Sequence, residues 1–138
     1  MPGKPVVFVD TNIWLYAFLD TGEDEKSSRA KELFQQTAPM LSVQVVNEVC
    51  VNLIKKANFP EGQIYQLIES FYEKYPIVEM DEGILLSASE LRQEYAFSFW
   101  DSMVVACALA SGAEILYSED MQHGLVIRGA LKIVNPFK

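Results

Sequence analysis

Two apolar rhythms alternate along this chain: short unbroken runs, and a repeat every three to four residues. Residues 6–9, Val-Val-Phe-Val, are the first unbroken run, with the length and β-branching of a strand covered on both faces. The run ends at Asp10, and a carboxylate belongs where such a strand leaves the dry interior. Residues 13–18 resume as an apolar helical segment. The charged stretch 20–26 reads as a solvated turn and an acidic helix start, and Ala30, Leu33 and Phe34 keep helical spacing through 28–36. The sequence Gln36-Thr37-Ala38-Pro39 ends that helix. Met40 and Leu41 form a second short strand, and Ser42 caps a helix over 43–57 whose broad apolar face runs through Val45, Val46, Val49, Cys50, Leu53 and Ile54.

The same alternation continues to the end of the chain. Pro60 suits the first position of a helix over 61–75, with Ile64, Leu67, Ile68, Phe71 and Tyr72 on one side. Residues 76–80 predict a third strand, and Asp81 caps a helix over 82–95. Residues 97–112 are apolar almost all round and rich in small side chains. Ser98 caps their start and Gly112 ends them, as expected of a helix buried at the centre of a domain. Residues 114–117 are a further strand. Residues 131–136 are a last strand, placed at an edge because Pro136 cannot extend a ladder. The order β-α-α-β-α-α-β-α-α-β-β predicts an α/β fold with a largely parallel sheet and right-handed crossovers. No repeat, low-complexity tract or linker divides the 138 residues, so residues 1–138 are expected to be a single domain.

Composition narrows the chemistry. No apolar run reaches the roughly 18 residues of a membrane span, and the first residues lack a secretory pattern. Cys50 and Cys107 both lie in apolar helical segments and read as reduced core residues of a cytoplasmic protein. His123 is the only histidine, which weakens any Ser/His/Asp or Cys/His triad and any histidine-based zinc site. It reads as an exposed loop residue.

Four acids stand out by position. Asp10 and Asp120 each follow an apolar strand, Asp101 opens the buried helix, and Glu48 lies early in the helix after Ser42. Each has a structural reading when taken singly. Asp101 fits a capping box with Ser98, Glu48 borders an apolar face, and Glu119 and Asp120 fit a solvated turn. Carboxyl ends of strands and amino ends of helices, however, meet at one rim of a parallel sheet. Three or four carboxylates brought together there repel one another unless protons or cations enter, and hard divalent cations with oxygen ligands are the usual answer.

The segments Val9-Asp10-Thr11-Asn12, Ser42-Val43-Gln44-Val45-Val46-Asn47-Glu48, Phe99-Trp100-Asp101-Ser102-Met103-Val104-Val105-Ala106-Cys107-Ala108 and Ile115-Leu116-Tyr117-Ser118-Glu119-Asp120-Met121 together resemble the PIN domain, the nuclease fold of VapC-type toxins. They span nearly the whole chain in order and spacing. The resemblance implies a three-layer α/β/α fold with a central, mainly parallel sheet. It makes Asp10, Glu48, Asp101 and Asp120 the acidic quartet, with Asn12 and Ser118 as supporting polar groups. Ser118 stands where many members have threonine, and Glu119 is an extra acid. The implied activity is metal-dependent endoribonuclease action on RNA with Mg²⁺ or Mn²⁺. The implied partners are a cognate antitoxin and a second copy in a homodimer.

On this reading Asp10 and Asp101 are the main metal ligands, while Glu48 and Asp120 hold a second ion or orient water. Water as nucleophile requires neither an RNA 2′-hydroxyl nor a histidine. The formal net charge of −8 opposes nucleic acid, and two bound divalent ions bring it only to about −4. RNA binding is therefore expected to be weak, salt-sensitive and metal-dependent, with Lys55, Lys56, Arg92 and Arg128 as candidate phosphate contacts. Two other readings are an aspartyl-phosphate phosphatase of the haloacid-dehalogenase kind and a non-catalytic binding module. The first wants a second Asp where Asn12 stands.

Overall fold

Burial of the first apolar run organises the molecule. In the computed structural model, which describes residues 3–19 and 24–138, Val6–Val9 forms β1, and Val7, Phe8 and Val9 are fully buried. β1 pairs in parallel with β2 (Ala38–Ser42) on one side and β4 (Ile115–Tyr117) on the other. The described residues form a six-stranded sheet in the order β3-β2-β1-β4-β6-β5, with β3 at Ile77–Val78, β5 at Val126–Ile127 and β6 at Leu131–Val134. All pairs are parallel except β5 with β6.

Strand order decides where the helices go. The connections β1 to β2 and β2 to β3 step in one direction across the sheet. They carry α1 (Thr11–Phe18), α2 (Asp24–Gln36), α3 (Val43–Ala57) and α4 (Glu61–Lys74). The connection from β3 back to β4 steps the opposite way and carries α5 (Glu82–Glu94) and α6 (Phe99–Ser111). Right-handed crossovers therefore put the first four helices on one face and the last two on the other, giving three α/β/α layers. α1 packs on α2 and α3, and α5 packs on α6. The direction reverses between β1 and β4, and the carboxyl ends of those strands border the crevice where open α/β sheets bind ligands.

Trp14 fastens the first layer to the sheet. It is buried, its indole Nε1 donates to the Val9 carbonyl at 3.0 Å, and it stacks on Phe34 at 4.4 Å. Phe71 and Tyr75 meet it edge-on at 5.3 and 5.0 Å. Cys50 and Cys107 are free and buried, as the apolar setting of both predicts.

Several boundaries differ from the sequence expectations. α2 starts at Asp24; residues 20–23 of the charged turn lie outside the described residues. β2 begins at Ala38 and includes Pro39. The ladder explains this: the Ala38 N–H donates to the Pro5 carbonyl on the β1 side, so Pro39 faces the β3 side, where pairing begins only at Leu41. Pro60 is the N-cap of α4 rather than its first residue. The last strand is not an edge. β6 lies between β4 and β5, and the antiparallel β5, which was not foreseen, takes the edge.

Candidate active site

β1 delivers Asp10 to the crevice, and the local fold holds it there. Asp10 is the N-cap of α1; its Oδ1 accepts the Thr11 N–H at 2.8 Å, and its own N–H donates to the Tyr117 carbonyl of β4 at 3.0 Å. Ser118, wholly buried just past β4, donates its hydroxyl to Asp10 Oδ2 at 3.0 Å. Burial nevertheless raises the Asp10 carboxyl from its ordinary 3.8 to about 6, with Glu48 and Asp101 adding repulsion and the two hydrogen bonds opposing the rise.

Glu48 reaches the same place from α3. The Thr11 hydroxyl donates to Glu48 Oε2 at 2.7 Å and the Gln44 amide to Oε1 at 2.9 Å. Asp120 arrives from the loop after β4, where Asn12 Nδ2 donates to its Oδ2 at 2.9 Å. Its pKa is raised by partial desolvation and by the charges of Glu119 and Asp101. Asp101 lies in the first turn of α6. Ser98 Oγ accepts the Asp101 N–H at 3.1 Å, so the serine caps the helix while the Asp101 side chain lines the cavity. The serine half of the capping box is therefore present, and it leaves the Asp101 carboxylate facing the cavity.

Asp10, Glu48, Asp101 and Asp120 thus line one cavity of about 130 Å³, together with Asn12. At about 30 Å³ per water, the space suits a hydrated ion rather than an organic molecule. Ser118 acts from behind, through Asp10. Thr11, Gln44, Asn52, Trp100 and Val104 also line the space and were not foreseen as site residues. A signal for two of them exists: Gln44, Glu48 and Asn52 recur every four residues, a polar stripe along one side of α3.

The donor set is all oxygen on its charged side, which suits a hard divalent cation, and no residue lining the cavity is basic. Neutral donors from Thr11, Gln44, Asn12 and Ser118 relieve part of the repulsion but leave carboxylate lone pairs free. Among the described residues no group of three His, Cys, Asp or Glu is arranged to hold an ion directly. Mg²⁺ commonly takes one or two carboxylates and keeps several waters, so the residues present fit a hydrated ion.

Other candidates fall outside the cavity lining. Glu119 accepts from Lys26 Nζ at 2.5 Å and from the Tyr16 hydroxyl at 2.9 Å, tying the loop after β4 to α1 and α2. His123 is exposed, and its Nδ1 accepts the Asn135 N–H at 2.9 Å. Arg128 is held by both carboxylate oxygens of Glu94, at 2.9 and 3.0 Å, and Arg92 by Ser102 Oγ at 2.7 Å. Both arginines are therefore already engaged, unlike free phosphate contacts. Among the described residues no helix is long and apolar enough to cross a membrane.

A family model, the PIN domain, matches residues 7–125. The fold is similar to a toxin–antitoxin complex from Klebsiella pneumoniae, at TM-score 0.70 and 22% identity over 94% of this chain and 97% of that one. It is similar to VapC20 of Mycobacterium tuberculosis, described as a sarcin–ricin-loop-cleaving toxin, at TM-score 0.66 and 20% identity over 83% and 89%. It is also similar to DNA-bound VapBC from Salmonella typhimurium, at TM-score 0.67 and 15% identity over 94% and 96%. Comparison with curated protein sequences gives no match.

Proposed function

The chain belongs to the PIN domain family, and from that premise we propose that it is a metal-dependent endoribonuclease that hydrolyses RNA phosphodiester bonds, with residues 1–138 as one nuclease domain. The observation that carries this reading is the common cavity: four carboxylates from four separate segments line about 130 Å³ with no basic residue among them.

In this reading Asp10 and Asp101 are the main ligands of Mg²⁺ or Mn²⁺, and Glu48 and Asp120 hold a second ion or orient the attacking water. When bound, the ion supplies water of lowered pKa and neutralises charge that builds on the phosphate. The chain's own work is orientation. Thr11 and Gln44 grip the two oxygens of Glu48, Asn12 grips Asp120, and Ser118 with the Thr11 amide grips Asp10. These neutral donors aim the carboxylates before substrate arrives, as the outer-shell partners of metal ligands do. No observation favours the aspartyl-phosphate reading: Asn12 is spent on holding Asp120.

The likeness to toxin–antitoxin structures supports a further part of the proposal. The chain is the toxin of such a pair, cytoplasmic, homodimeric and silenced by an antitoxin protein. Cleavage of end-labelled RNA, with Mg²⁺ or Mn²⁺ against EDTA, tests the chemistry. Cleavage should require the metal and fall to background in Asp10→Asn and Asp101→Asn. Cleavage that persists in EDTA, or in Asp10→Asn, refutes the mechanism. RNA binding without any cleavage makes the chain a non-catalytic module.

A further inference from the structure

Trp100 is the unusual residue at the mouth of this site. Of the two tryptophans, Trp14 is buried and Trp100 is 63% exposed. Its neighbour Phe99 is 54% exposed, so the two rings form a contiguous exposed aromatic patch rather than one scattered apolar residue. Trp100 immediately precedes Asp101 and lines the acidic cavity. It also lines a second cavity, of about 470 Å³, whose apolar walls come from Val43 and Met80, with Asn47 beside them. Gln44, Glu48 and Trp100 border both spaces, so the two adjoin. The larger one falls within the roughly 300–1,000 Å³ of pockets that take small organic groups.

The indole is also braced. Phe99 meets it edge-on, with ring centroids 5.2 Å apart. The Arg92 guanidinium lies 4.4 Å over the Phe99 ring and is anchored by Ser102 Oγ at 2.7 Å. This chain of contacts limits the freedom that an exposed Trp loses when something stacks on it, which favours a binding role over an accidental exposure.

We propose that Trp100 is the stacking platform for one nucleobase of the RNA, next to the phosphate held at the acids, with Val43 and Met80 beneath the base and the Asn47 amide at its edge. The inference rests on the ribonuclease reading above. Base–aromatic stacking needs no positive charge, so it supplies affinity on a chain of net charge −8 where phosphate contacts are scarce. It also selects single-stranded or looped RNA, because a paired base is already stacked.

The test uses the full chain in Ca²⁺, with a short labelled single-stranded RNA followed by anisotropy and by tryptophan emission. RNA should quench the emission of the wild type and leave that of Trp100→Ala unchanged. Trp100→Ala should weaken binding about 5- to 150-fold, the range for losing one stacked base. Trp100→Phe should stay within about threefold of the wild type, since it keeps a ring. A duplex of the same sequence should bind no better than Trp100→Ala binds the single strand. Unchanged thermal unfolding of both variants separates this from misfolding. If the wild type cleaves RNA and Trp100→Ala binds and cleaves equally well, the stacking role is wrong and the nuclease reading stands. If RNA quenches Trp100 but is never cleaved, the stacking role stands and the nuclease reading falls. If RNA neither binds nor is cleaved, both fall.

Discussion

Replacing Asp10 with Asn should abolish function and yet stabilise the metal-free protein. The Asp10 carboxyl rises from 3.8 to about 6 on folding, because burial and two nearby carboxylates disfavour its charge. In the folded state it therefore binds a proton more readily than in the unfolded chain, so stability falls as pH climbs through the window from about 4 to about 6. Above that window the penalty is full, about 3 kcal/mol at about 1.4 kcal/mol per unit; at pH 5 about half of it remains. Asn keeps an oxygen for the Thr11 amide, and its nitrogen faces Ser118, whose hydroxyl can turn to accept. Allowing about 1 kcal/mol for imperfect replacement of these bonds leaves a gain of about 2 kcal/mol at pH 7.5. For a chain of this length that is roughly 6–8 °C in Tm. The assay is thermal unfolding of wild type and Asp10→Asn in EDTA between pH 5 and 8. The difference between the proteins reports Asp10 together with its coupling to Glu48 and Asp101, and cancels the carboxylates elsewhere. A variant less stable than the wild type at pH 7.5, or a gap that does not shrink towards pH 5, refutes the argument.

The remaining expectations concern the groups that hold the acids. Mn²⁺ at 100 times its Kd should raise wild-type stability by about 2.7 kcal/mol at pH 7.5, and much less in Asp10→Asn, as seen by the same unfolding scans. Thr11→Val removes the 2.7 Å bond to Glu48 from a buried position. It should lower stability by about 1 kcal/mol and RNA cleavage by about 10- to 100-fold, with Thr11→Ser recovering most of the rate in a cleavage time course. Ser98→Ala deletes the cap of α6, the helix that carries Asp101. About 1 kcal/mol of stability should go, measured by urea unfolding, while Ser98→Asp keeps it. Gly112 ends that helix at φ 79°, so Gly112→Ala should destabilise by about 1 kcal/mol in the same measurement without changing the metal requirement of cleavage.

Much of this protein is written locally. The run at 6–9, the capping Ser42, Asp81 and Ser98, and the Gly112 stop each depend on neighbours within one or two turns, so β1, α3, α5 and α6 are legible in the residues themselves. The positions of the four acids, just past strands or early in helices, are local too, and in a parallel sheet they point to one rim. What the tertiary structure decided is lateral. β6 became an inner strand because the antiparallel pairing of Val126 and Ile127 covers its free side, and two residues are too few to announce a strand by pattern. Pro39 entered β2 because β3 starts too late to need its missing N–H. Arg128 and Glu119 found partners 34 and 93 residues away, which turned a candidate phosphate contact and an extra acid into structural ties. The grip of Thr11 on Glu48, of Asn12 on Asp120 and of Ser118 on Asp10 likewise bridges 37, 108 and 108 residues. Hydrogen-bond partners at such separations follow from strand order and helix packing, which no window of sequence contains, and the same packing left Trp100 exposed beside the acids.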